Sequence, residues 1–149
     1  MQTETLTRKI EEIELDVRRF RACLDRLHNT LGPSFLDFPR GCCGDVSELL
    51  AAFLKDCGHG EFEYVSGWSE NYEEGSHAWL EFDGFIIDAT IDQFSHEALH
   101  LMVSRDRTFH EKFSLRKEVR SDGDFRIAGN PRHLLSAYHT VLACLTDDA

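Results

Sequence analysis

Apolar positions near the start of the chain fall on a single line. Leu6, Ile10, Ile13, Val17, Phe20, Leu24, Leu27 and Leu31 recur at spacings of 4, 3, 4, 3, 4, 3 and 4. That is one continuous stripe on a helix, predicted over residues 1–31 and closed by Gly32 and Pro33. Such a stripe serves either as a coiled-coil dimer seam or as the buried side of a long helix on its own domain. Barely four heptads, with a Phe in the seam, favour the second.

Residues 32–44 (GPSFLDFPRGCCG) form a connector. A second helix is predicted over 45–57, where Val46, Leu49, Leu50, Phe53 and Leu54 share a face and Gly58 stands ready to cap. Residues 61–68 (EFEYVSGW) alternate as a half-buried strand. An acidic loop, 69–76, leads into two apolar runs, 77–82 and 85–90, joined by Asp83-Gly84, a strong hairpin signal. The remainder reads less sharply: a strand over 99–104, a polar excursion over 116–127 with a turn at Asp122-Gly123, and a last helix after Asn130-Pro131. Its apolar face is Leu134, Leu135, Tyr138, Val141, Leu142 and Leu145.

If Asp83 and Gly84 are the two loop residues of a type I′ turn, paired positions sum to 167. Phe82, Leu80 and Ala78 then face Phe85, Ile87 and Ala89 on one apolar side. On the other side Trp79 faces Asp88, and His77 becomes a diagonal neighbour of Asp88. A one-residue slip would separate them onto opposite faces. Asp92 is a second diagonal carboxylate if the strand runs on. An imidazole held by a carboxylate keeps one ring nitrogen free to accept a proton.

Composition narrows the classes. The chain has 149 residues, a prior for one domain over 1–149, with 42% hydrophobic and 29% charged residues, which excludes a disordered chain. A net charge of −11 argues against nucleic acid and anionic membranes as partners. The leading residues MQTETLTRKIEEIELD carry acids where a signal peptide needs an apolar stretch, so a cytoplasmic location is expected. Five cysteines, Cys23, Cys42, Cys43, Cys57 and Cys144, are then expected as reduced thiols. Cys42 and Cys43 open the second helix, where the helix dipole and unpaired N–H groups favour a thiolate and an oxyanion. Periodicity does not choose between the two. A zinc site drawn from Cys42, Cys43, Cys57, His59 and His77 lacks any Cys-x-x-Cys spacing, so no metal and no cofactor is expected. His96, His100, His110, His133 and His139 read as surface or core histidines. Trp79 reads as a shield over the His/Asp pair, and Trp68 as core. Glu70, Glu73 and Glu74 read as a solvated loop.

Gly41-Cys42-Cys43-Gly44-Asp45, His77-Ala78-Trp79-Leu80-Glu81 and Ile87-Asp88-Ala89-Thr90 together resemble the transglutaminase-like superfamily of cysteine hydrolases. The likeness spans residues 39–94. It implies an α+β, papain-like fold in which a nucleophile helix packs on a small antiparallel sheet, here flanked by long amphipathic helices at both ends. It implies Cys43 as nucleophile, His77 as base and Asp88 as the orienting acid. The implied chemistry is acyl transfer on a peptide, protein or small amide substrate, hydrolysis more than crosslinking. Arylamine acetyltransferases share the triad order and an Arg-Gly step, Arg40-Gly41 here. Family members take an oxyanion donor from an upstream Gln or aromatic residue. Gln2 is the lone Gln upstream of Cys43 and no Trp or Tyr precedes it, so the second donor has no candidate in the sequence. A non-catalytic binding module on the same fold is the alternative, and a homodimer through the first helix is a further possibility.

Overall fold

The computed structural model describes residues 2–72, 75–114, 116–128 and 132–147. It is α+β. Helix α1 (Gln2–Leu27) is followed by α2 (Cys43–Asp56), then β1 (Glu63–Trp68), β2 (Ser76–Phe82) and β3 (Phe85–Ile87). Two short strands, β4 (Val103–Ser104) and β5 (Glu118–Arg120), precede a single turn α3 (Phe125–Ala128) and the closing helix α4 (Arg132–Asp147). The sheet has five antiparallel strands in the order β4-β3-β2-β1-β5.

The apolar stripe of α1 lies on its own domain. Ile13, Val17, Phe20 and Leu24 are buried, and α1 packs on α4 and α2. The helix stops at Leu27 rather than running to residue 31, and a 3₁₀ turn, His28–Thr30, replaces its last turn. Side chains there compete for the backbone: Thr30 Oγ1 donates to the Leu27 carbonyl (2.8 Å) and His28 Nδ1 meets the Phe35 carbonyl (3.2 Å). Burying Val46, Leu49, Leu50 and Phe53 holds α2 against the sheet, where it packs on β2 and β1. Helix α2 begins two residues before the predicted start, because the Val46 N–H already bonds the Cys42 carbonyl (2.8 Å).

The hairpin has the predicted register. Leu80 pairs with Ile87, Glu81 with Ile86 and Phe82 with Phe85, and Asp83 and Gly84 both take positive φ (48° and 80°), as a type I′ turn requires. The second hairpin strand ends at Ile87, short of the expected residue 90. Asp88 leaves the ladder, giving its N–H to Met102 O (2.8 Å), and its carboxylate takes the Thr90 N–H (3.2 Å) in an Asx turn that bends the chain away.

The 99–104 region is mostly a 3₁₀ helix, His96–Leu101, with just two strand residues after it. Within the polar excursion, β5 pairs with β1. The charge-rich sequence of this edge strand, whose Val119 is exposed, carries no apolar alternation to betray it. Glu73, Glu74, Asn130 and Pro131 lie outside the described residues.

One expectation is corrected outright. Cys23 and Cys144 are joined as a disulfide between α1 and α4, so the five cysteines are not all free thiols. Cys57 is exposed, and Trp68, expected in the core, is half-buried. Among the described residues no helix is long and apolar enough to cross a membrane.

Candidate active site

The sheet places helices on one face and an aromatic cluster on the other. Val65, Trp79, Ile86 and Phe113 are buried there, with Tyr72, Phe94 and Phe109 packed around them. His77 emerges at the margin of this cluster. Its neighbour across the ladder is Gly67, where a Cβ would stand 2.8 Å from the Phe113 carbonyl, so a side chain there would displace Phe113 from the flank of the imidazole. Phe94 meets the His77 ring edge-on at 4.8 Å. His77 is 1% exposed, and Trp79, at 5.6 Å, covers it as expected.

His77 Nε2 donates to Asp88 Oδ2 at 2.6 Å, the diagonal pairing read from the hairpin. Asp92, the rival carboxylate, is taken by Arg21, whose two terminal nitrogens reach it at 2.7 and 2.8 Å. Asp88 has a second imidazole that spacing did not reveal. His110 Nε2 donates to the same Oδ2 at 2.7 Å from the 3₁₀ turn His110–Lys112. His110 Nδ1 is buried without a partner, so the proton of the neutral ring sits on Nε2, aimed at the carboxylate. Burial opposes ionisation of Asp88. The His77 charge and the two imidazole hydrogen bonds outweigh it and hold the carboxyl below the ordinary range.

Cys43 is the first residue of α2, half-buried, with Cys42 as the N-cap offering no side-chain cap. Cys43 and His77 line the same cleft. With Nε2 committed to Asp88, Nδ1 is the ring nitrogen left for other partners. Burial lowers the His77 pKa, but the Asp88 charge and hydrogen bond, followed by those of Cys43, raise it from 6.5 to about 9. Gln93 Nε2 also donates to Nδ1, at 3.1 Å. When Nδ1 is protonated, a half-turn of that carboxamide presents its oxygen instead.

Cys42 differs sharply from its neighbour. It is 3% exposed, and burial followed by the charges of Cys43 and Asp45 pushes its thiol up to about 12. Cys43 opens onto a cleft of about 260 Å³ that it shares with Gly44, Tyr64, Ser76, His77 and Lys117. Geometry thus separates two cysteines that periodicity could not.

His77, Asp88 and His110 bring their ligand atoms within 4.8 Å of one another, the spacing of a metal site. These atoms already satisfy each other, since Oδ2 accepts from two Nε2–H groups, and a metal would need both nitrogens unprotonated. The zinc set weighed from the sequence is dispersed: His59 bonds Asp16 at 2.7 Å and Cys57 faces outward. The cleft thus holds a helix-borne thiol beside His77, and behind it lies a buried cluster in which Asp88 carries both His77 and His110. Comparison of the chain with family models, curated proteins and solved structures returns no match.

Proposed function

We propose that this chain is a cysteine-dependent acyl-transfer enzyme acting on a peptide, protein or small-amide carbonyl, with the α+β layers in a papain-like, transglutaminase-like arrangement. The observation that carries the reading is that Cys43, at a helix start, shares a cleft with a buried imidazole, His77, held by a buried carboxylate, Asp88.

The chemistry follows from the order. With the thiol proton already resting on the His77 ring, the Cys43 sulfur attacks the carbonyl carbon, sending the C=O electron pair onto oxygen. The N–H groups at the uncapped start of α2 stabilise that oxygen. Collapse expels the amine, which takes the proton back from His77, and leaves a thioester on Cys43. Water then resolves the thioester, releasing the acid and restoring the thiol. Asp88 holds Nε2 and so leaves Nδ1 for the proton exchange, and the shared His110 bond fixes Asp88 in turn.

One observation favours the non-catalytic alternative: the Gln93 amide occupies the nitrogen that must accept the thiol proton. Iodoacetamide near neutral pH separates the readings. The enzyme reading expects Cys43 to be alkylated well ahead of Cys42 and Cys57, and His77→Ala to abolish that preference. Equal, slow reaction of all free thiols supports the binding module.

As partners, a net charge of −11 disfavours nucleic acid and anionic membrane surfaces. A homodimer would need a surface other than the α1 stripe, which is spent inside the domain. The Cys23–Cys144 bond weighs against a reducing cytosolic location, because cytosolic thiols are normally kept reduced.

A further inference from the structure

An oxyanion hole needs a second, fixed donor besides the helix start, and the chain upstream of Cys43 offers neither a nearby Gln nor an aromatic residue with a donor. Tyr64 comes from β1, on the helix-facing side of the sheet with its ladder partner Leu80. Its ring is held beneath the Arg120 guanidinium at 4.3 Å. The residue is 8% exposed and lines the cleft onto which Cys43 opens.

The Tyr64 hydroxyl ends beside the first turn of α2. Tyr64 and Cys43 line the same cavity, and the hydroxyl stands 3.2 Å from where a Cβ on Gly44 would lie. Gly44 therefore keeps clear the space between the hydroxyl and the start of α2. We infer that the Tyr64 hydroxyl is the second oxyanion donor, approaching from the strand while the α2 N–H groups approach from the helix; this rests on the acyl-transfer reading above. Burial, then the nearby charges of Glu48 and Cys43, push the hydroxyl up to about 12, so it remains a neutral donor throughout the working pH range.

The role predicts a split between two reactions of the same sulfur. Alkylation by iodoacetamide forms an S–C bond and expels iodide without making an oxyanion. Acylation by p-nitrophenyl acetate passes through one. The sulfur attacks the carbonyl carbon, the C=O pair moves to oxygen, and its return expels p-nitrophenolate to leave the acetyl thioester. Water later releases acetate.

Tyr64→Phe removes one oxygen and keeps the ring. It is expected to slow Cys43 acylation about 100- to 1000-fold while leaving the alkylation rate within twofold. Gly44→Ala, which pushes a methyl against the hydroxyl, should slow acylation in the same selective way and serves if Tyr64→Phe does not fold. A fall of less than tenfold in acylation, or an equal fall in both reactions, overturns the role of Tyr64 and leaves the acyl-transfer reading standing. A wild-type protein with no Cys43-dependent acylation overturns both.

Discussion

Asp88 carries two imidazoles on one oxygen, and the consequence is a pH window. The pKa of His77 is raised from its ordinary 6.5 to about 9 against the cost of burial, chiefly by Asp88. The stability it contributes is therefore complete below about 6.5 and lost as pH climbs through about 9. Asp88 is depressed from its ordinary 3.8 by the two rings, so its contribution is present above that value and lost as pH falls well below it. Urea unfolding should thus find the wild type most stable between these limits, with a decline on the alkaline side that His77→Gln lacks. An alkaline limb unchanged in that variant would count against the pair. At this scale the sequence was legible where one hairpin fixed the geometry. Turn chemistry at Asp83-Gly84 set the register of the hairpin, and His77 meets Asp88 one residue past its last paired position. His110 was not legible, because it arrives from a polar segment 22 residues away with no periodic signal linking it to the sheet.

Elements hold these residues in place from behind. Arg21, on α1 and far from the site in sequence, bonds the Ala89 carbonyl (2.9 Å) and both oxygens of Asp92. It clamps the segment that turns away from Asp88. Both partners are nearly buried, so removing one leaves the other charge without compensation. Arg21→Ala should cost about 3–5 kcal/mol in urea unfolding, and Asp92→Ala added to it should cost little more. Additive losses would show that the pair is not coupled. Helix α1 itself was plain from its stripe, whereas its clamp was not, since a lone Arg on an amphipathic helix reads as solvated surface. Helix α2 was recognised by its apolar face, and its early start, which makes Cys43 its first residue, emerges from the Cys42 carbonyl bond rather than from hydropathy.

Over the whole molecule, the helices that open and close the described chain are tied together. Cys23 and Cys144 lie 121 residues apart, and in the chain-entropy account a crosslink closing so long a loop contributes about 4–5 kcal/mol. Thiol titration without reductant should find three reactive cysteines at most after unfolding, and the Cys23→Ala/Cys144→Ala pair should unfold at markedly lower urea. Five titratable thiols without reductant would contradict the bond. A cysteine count alone gives no pairing, which is why this link was invisible in the sequence. The layered α+β plan was visible, since each layer announces itself by its own period. The claim on which the account turns is that Cys43 is an activated nucleophile. Brief exposure to p-nitrophenyl acetate, followed by peptide mapping, tests it most directly. The account predicts an acetyl group on Cys43, absent from the exposed Cys57, lost with time as water resolves the thioester, and missing in His77→Ala. Equal acetylation of Cys43 and Cys57, or labelling of Cys43 undiminished in His77→Ala, would contradict it.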